Sequence, residues 1–308
     1  MIKHLKKSKM KPLITLFSLF TVFSFNFYAQ ELNIFRVTSF GNDIEMRNMI
    51  SMSDIYILSE HPDSSAIPDL NEMDESELDY FTLNIDYRTR FLNGTNTTEN
   101  DSIFIYDYVN NSLSVSTVNS AKVVAMLSPY EIGGEYELTQ YEYLIGFEVD
   151  DSLINQGDYD ENSLVYVGQH NPFVEKKLEN IEWMEIERNE IPNSMRMEDS
   201  LNITYDKAYK FKFGQLSYFI QDVQRHNYVW AKHLFIIDTA TNSKIFETMY
   251  YSGEGSEFNA LNSKYTGQLF KDKPEVIFGF NYHSFGCSSI AFIDKKEKSI
   301  ETKCDNRH

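Results

Sequence analysis

The stretch "LFIIDTATNSKIFETMYY", residues 234–251, contains two strand-like runs separated by a polar turn. Leucine, phenylalanine and isoleucine fill the first run, which ends at Asp238, and isoleucine, phenylalanine, threonine and tyrosine recur in the second. Such runs, bounded by polar turn residues, predict a β-hairpin. Asp238 suits the turn because its carboxylate can accept hydrogen bonds from backbone N–H groups just downstream.

Two further segments share this pattern, "SIFIYDYVNNSLSVSTV" at 102–118 and "SIAFIDKKEKSIETKC" at 289–304, and weaker copies begin at 54, 143 and 181. Their strand ends are 37 to 56 residues apart. This irregular repeat predicts an all-β fold, either β-propeller-like or a multi-sheet antiparallel architecture, with a two-sheet β-sandwich as the alternative. Little helix is expected, although 174–191 also has helical spacing that competes with its strand pattern.

The first 29 residues resemble no part of such a fold. Five lysines precede an uncharged and mostly apolar run, 13–27, which is followed by Ala29. A cationic start, a short apolar core and a small residue indicate a signal peptide, 1–29, cleaved before Gln30. We therefore expect a secreted or periplasmic protein with no membrane span after cleavage. Residues 30–308 are expected to form a single β-rich domain, with a split near 190–200 as the alternative.

The chain is strongly acidic. It carries 28 Lys and Arg against 46 Asp and Glu, a formal charge of −18. Residues 1–29 hold five of the basic residues and no acidic ones, so the processed chain has 28 − 5 = 23 positive against 46 negative charges, or −23. Such a surface repels phosphate backbones, so we expect no nucleic-acid partner.

The only two cysteines lie near the C-terminus. If 288–293 and 298–303 form a hairpin, positions whose numbers sum to 591 face each other, which places Cys287 opposite Cys304. Opposed Cα atoms in antiparallel strands lie within disulfide range, so the sequence predicts a Cys287–Cys304 disulfide. The alternatives are a Cys287 nucleophile with His283 as its base, and a zinc site that adds His283 and His308.

An acidic stretch suggests a metal ligand set. In "DYDENSLVYVGQ", residues 158–169, Asp158, Asp160 and Asn162 take positions 1, 3 and 5 of a calcium loop. Ser163 and Gln169 stand where an EF-hand needs Gly and Glu, which argues against that motif. The stretch is therefore either a polar loop or a looser calcium site, and no other cofactor is expected.

Aromatic residues cluster in "QDVQRHNYVWAKHLF", residues 221–235. Strand alternation places His226, Tyr228 and Trp230 on one face. Ring faces pack on the apolar faces of sugars, so this face is a candidate binding surface. The alternative is burial of the rings in the core.

Function is the least determined property. We find no nucleophile elbow, zinc-protease, P-loop or dinucleotide motif. We therefore expect a non-catalytic binding or surface-associated protein that engages a glycan or protein partner. The alternative is a secreted carbohydrate hydrolase with paired carboxylates, for which Glu254 and Glu257 in "YYSGEGSEF" are the candidates.

Overall fold

In the computed structural model, strands account for 45% of the residues that the structure describes and helices for 14%, including one α-helix. Those residues are 32–42, 45–56, 65–128, 131, 138–154, 162–200, 202–252, 261–280, 287–294 and 296–304. The all-β prediction and the expected scarcity of helix are confirmed. The α-helix, α1, spans Ile85–Gly94, and the strands are β1 Thr38–Asn42, β2 Glu45–Ser51, β3 Tyr80–Thr82, β4 Ser102–Asp107, β5 Ser112–Thr117, β6 Val123–Leu127, β7 Tyr143–Val149, β8 Ser163–Gly168, β9 Leu178–Asn180, β10 Met184–Ile186, β11 Thr204–Phe213, β12 Leu216–Arg225, β13 Tyr228–Asp238, β14 Ser243–Tyr251, β15 Tyr265–Gly267, β16 Val276–Phe278, β17 Ser289–Phe292 and β18 Ile300–Glu301.

The described strands form four antiparallel sheets, none of them closed into a barrel. Their strand orders are β1-β2-β7-β6-β3, β5-β4-β8, β10-β11-β12-β13-β14 and β18-β17-β16-β15-β9. The multi-sheet antiparallel prediction is thereby confirmed. The chain leaves the first sheet after β3 to build β4 and β5 and then returns, so the sheets do not follow one another along the chain as propeller blades do.

The three strongest hairpin patterns each form a hairpin. Residues 102–118 give β4–β5, 234–251 give β13–β14, and 289–304 give β17–β18. In the second hairpin the Asp238 carboxylate accepts the Ala240 N–H at 2.8 Å, as its place in the turn predicts. The helical reading of 174–191 is wrong. β9 pairs with β15 and β10 with β11, so pairing with distant strands overrides helix propensity there.

The C-terminal hairpin differs from its predicted register by one position. Ile290, not Ala291, faces Ile300. The reason lies in the neighbouring strand, because the Ile293 N–H donates to the Glu275 carbonyl at 2.9 Å and so extends the β16–β17 ladder. The residues at the end of β17 therefore pair with β16 and not with β18. As a result, the connection between β17 and β18 is longer than the four residues expected.

The sheet β10–β14 buries side chains on both faces. Tyr218 and Ile220 pack with Leu234 in one apolar cluster, while Phe219 and Phe235 stack in another with ring centres 5.1 Å apart. Because β10 and β11 pair directly, the residues on either side of 190–200 belong to one sheet. None of the helices in the described part of the chain is long and apolar enough to cross a membrane.

Candidate functional site

The two cysteines form a structural disulfide. Cys287 and Cys304 form a disulfide with their Cα atoms 5.5 Å apart, which confirms the predicted pairing. Both thiols are consumed, and no free cysteine remains. The Cys287 nucleophile and the cysteine-containing zinc site are therefore wrong, since each requires a free thiolate.

The predicted aromatic face is arranged differently from simple strand alternation. His226 lies outside the strands, in the two-residue turn between β12 and β13, with φ of 53°. A β-bulge follows, because Gln224 pairs with Val229 and Val223 with Ala231, which leaves Trp230 without a partner position. A bulge re-aims the side chains beside it, so period-two alternation does not hold from 228 to 230.

The rings nevertheless gather at this hairpin tip. Trp230 is partly buried and meets Tyr251 edge to face, with ring centres 5.0 Å apart, and the Arg225 guanidinium lies 5.8 Å from the Trp230 ring centre. Tyr228 and Tyr251 are 52% and 58% exposed. Tyr228 is therefore not buried in the core, and the tip presents two accessible tyrosines beside the partly buried Trp230.

Most residues of the predicted calcium site and of the predicted carboxylate pair cannot be placed. Asp158, Asp160, Glu254 and Glu257 lie outside the residues that the structure describes. Asn162 is described, and its carbonyl accepts the Tyr108 N–H at 3.1 Å. Within the described ranges, no three His, Cys, Asp or Glu side chains are placed to hold a metal ion.

A cleft of about 580 Å³ lies beside the first sheet, at its border with edge strand β5. β5 contributes Ser116, the turn after it contributes Ser120, and the turn after β7 contributes Ser152. A volume of this size lies within the range of small-ligand sites. This is the concave site that sequence reasoning did not find.

Glu148 organises the charges of the cleft. Its carboxylate accepts the Tyr80 hydroxyl at 2.8 Å and pairs with the Lys122 ammonium at 2.8 Å. The Arg47 guanidinium lies over the Tyr80 ring, 4.1 Å from its centre. Burial acts to raise the pKa of Glu148, but the bonds from Lys122 and Tyr80 outweigh it and hold that pKa below its usual range. Burial and the Glu148 contact raise the pKa of Tyr80.

Two aspartates that follow β7, Asp150 and Asp151, are the other acidic residues of the cleft lining. The Asp150 side chain accepts the Ser152 N–H at 2.8 Å, and its bonds with Ser152 lower its pKa. The Asp151 carboxylate accepts the amide of buried Asn48 at 2.7 Å. All three cleft carboxylates are thus acceptors of defined hydrogen bonds.

Helix α1 supports the rim of the cleft that carries Ser120 and Lys122. The Arg88 guanidinium donates to the Ala121 and Val118 carbonyls, each at 2.6 Å, and pairs with Glu99 at 2.7 Å. These bonds hold the turn that carries Ser120 and Lys122. The rim is therefore supported by a neighbouring element, which is how a preformed site keeps its shape.

The carboxylates of the cleft can be compared with those of a glycosidase. A glycosidase requires one carboxyl group whose raised pKa keeps a proton near neutral pH. The pKa values of Glu148 and Asp150 are lowered instead. Neither residue therefore meets the requirement for the acid.

The sequence carries one usable signal for this site, since "EVDDSL" at 148–153 contains its acidic residues directly after a strand pattern. Comparison with protein-family models, curated proteins and solved structures finds no match for the chain.

Proposed function

We propose that this protein is an exported, non-catalytic binding protein that takes a short glycan in the cleft. The observation that carries the proposal is the cleft itself, about 580 Å³ in volume and lined by hydroxyl, amide, guanidinium, ammonium and carboxylate groups. Sugar hydroxyls both donate and accept, so they match a lining that offers both kinds of group. Val149 and Leu153 add apolar contacts for the carbon faces of a sugar.

The pairing of the charges supports an uncharged ligand. Lys122 is neutralised by Glu148, and the Asp151 carboxylate already accepts a bond from Asn48. Three carboxylates against two cations oppose a polyanion such as a nucleic acid. A neutral saccharide carries no charge that must be desolvated on binding. Its hydroxyl groups can also hydrogen-bond to the charged side chains of the cleft without breaking their existing pairs.

The hairpin tip is a second surface with sugar-binding chemistry. Tyr228 and Tyr251 are both more than half exposed. We place the ligand in the cleft because a concave site surrounds a small ligand, whereas the tip offers ring faces on one side only. A substitution at the tip therefore serves as the control for a substitution in the cleft.

A glycan array tests the proposal with three proteins. Wild type is expected to bind a defined set of glycans. Ser116→Tyr, which fills the cleft from an edge strand where tyrosine is well tolerated, is expected to weaken that binding tenfold or more, or about 1.4 kcal/mol. Tyr228→Ala is expected to bind as wild type does.

The rival functions give other outcomes. Release of reducing ends from a bound glycan, lost in Glu254→Gln, would reject the non-catalytic assignment and support the hydrolase. Absence of wild-type binding to any glycan would reject the glycan and leave a protein partner. Export is tested separately by mass spectrometry of the secreted or periplasmic fraction, in which we expect an N-terminus at Gln30.

A further inference from the structure

Strand β14 is an unusually long sheet edge. It forms one edge of the sheet β10–β14 and has nine residues, whereas none of the other edge strands in the described ranges exceeds six. Natural sheets keep edge strands short, charged or bulged, because an open edge can pair with another chain. A bulge at Ile245 and the exposed Lys244 protect the beginning of β14. The part from Glu247 to Tyr251 has neither a bulge nor a lysine.

The backbone groups that point away from the sheet can be identified from the ladder. The Ser252 N–H donates to the Trp230 carbonyl at 2.9 Å, which continues the register of β13 and β14. Hydrogen-bonded pairs alternate along an antiparallel ladder, so the even-numbered residues at this end of β14 bond to β13. The N–H and C=O groups of Glu247, Met249 and Tyr251 therefore point outward. No other strand in the described part of the chain pairs with them.

These three residues are spaced evenly about Met249. A second copy of β14, related by a two-fold axis at Met249, places Glu247 opposite the partner's Tyr251 and pairs every outward group of the three residues. An axis at Glu247 opposes two carboxylates, and an axis at Tyr251 leaves Glu247 without a partner. Axes one residue to either side of Met249 place Tyr251 opposite the bulge or Glu247 beyond the end of the strand. One register therefore fits best.

The side chains of this edge are compatible with that register. Met249 is partly buried and lies at the centre, and Tyr251, which is 58% exposed, lies toward each end. Methionine and tyrosine are enriched at protein–protein interfaces. The Glu247 carboxylate is already paired with Lys244 and lies 3.1 Å from the His233 ring within its own chain, so it adds no uncompensated charge.

We infer that the protein forms a two-fold dimer through β14, which joins two five-stranded sheets into one continuous sheet. Such an interface is isologous, since the same residues contribute from both copies. The acidic charge of each chain opposes association, and salt screens repulsion between exposed charges, so the dimer should be tighter at high salt. The interface uses no residue of the cleft lining and does not depend on the glycan assignment.

Cysteine cross-linking tests the register. Cys287 and Cys304 are already bonded to each other, so an introduced cysteine supplies the only thiol. In Met249→Cys the two introduced residues face each other with Cα atoms about 5.5 Å apart, within disulfide range. Mild oxidation is expected to give a covalent dimer on a non-reducing gel. Thr248→Cys is the control, because Thr248 is also partly buried but faces the partner's Tyr250. It should cross-link at least several-fold more slowly.

Sedimentation equilibrium tests the association itself. Wild type is expected to show the mass of a dimer at micromolar concentration and to dissociate more readily at low salt. Met249→Pro removes one outward N–H and leaves the bonds to β13 intact, since proline is tolerated where an edge N–H faces solvent. It is expected to weaken the dimer tenfold or more, and far-UV circular dichroism checks its fold. If Met249→Pro does not fold, the cross-linking comparison decides.

Three results overturn the inference. Wild type that stays monomeric at all concentrations and at high salt would exclude the second copy and leave the edge to an extended segment of another protein. Cross-linking of Met249→Cys no faster than that of Thr248→Cys would reject the register. A folded Met249→Pro that dimerises as wild type does would place the contact elsewhere on the surface.

Discussion

The buried pair between Asp222 on β12 and Lys232 on β13 gives the sharpest stability prediction. The two residues face each other across the ladder, and their side chains are only 8% and 7% exposed. Within the described residues, the only hydrogen bond to the Asp222 carboxylate comes from Lys232. Lys232→Met therefore leaves a buried carboxylate without its donor.

The expected loss follows from that burial. Removing one partner of a buried ion pair costs about 3–5 kcal/mol, because the remaining charge is uncompensated. The free energy of unfolding of a typical domain is about 5–15 kcal/mol, so the variant is expected to lose a large part of its stability. Replacing the whole pair, with Lys232→Met and Asp222→Leu together, is expected to restore the free energy of unfolding to near wild type, since apolar groups of similar volume can replace a buried pair.

Urea unfolding at pH 7, followed by tryptophan fluorescence, measures these values. The exposed pair between Arg188 and Asp199, with side chains 32% and 46% exposed, is the matched control. Asp199→Asn is expected to leave the free energy of unfolding close to that of wild type, because exposed ion pairs contribute little to stability. A loss below about 1 kcal/mol in Lys232→Met, or a double variant no more stable than the single one, would refute the reasoning.

Three further predictions are independent of the pair. The disulfide closes a separation of 17 residues, so Cys304→Ser is expected to lower the free energy of unfolding by about 3 kcal/mol, and a thiol count on denatured wild type without reductant should find none. His233 is 3% exposed, and burial lowers its pKa below its usual value, so its contribution to stability is full above about pH 6.5 and declines as pH falls; unfolding at pH 7.5 and 5.5 should show this loss in wild type and not in His233→Gln. Arg88→Ala removes the bonds that hold the Ala121 turn, so glycan affinity should fall while Tyr228→Ala, in the same titration, leaves it unchanged.

Sequence reasoning succeeded where the determining contacts are local. A hairpin needs two strand-like runs and a turn, all within one short stretch, and the three strongest patterns each folded as predicted. The disulfide followed from the same local geometry even though the ladder is shifted by one residue, since cysteines at a strand end tolerate that shift. The shift itself came from the bond between Ile293 and Glu275, which no pattern in the hairpin encodes.

The cleft was not predictable for the opposite reason. Arg47, Lys122 and Glu148 lie far apart in the sequence and meet only because β2 and β6 both pair with β7. Helix α1 was missed as well, since its apolar residues Phe91 and Leu92 are too few to give a periodic pattern. At the hairpin tip, the bulge at Trp230 depends on the pairing of β12 with β13, which strand alternation alone does not anticipate.

The most direct test of the binding site is hydrogen–deuterium exchange with and without a glycan selected on the array. Binding in the cleft predicts slower exchange in peptides that cover 116–122 and 148–153, and unchanged exchange in peptides that cover 225–230. Protection confined to 225–230 and the end of β14, with the cleft peptides unchanged, would contradict the account and assign binding to the hairpin tip.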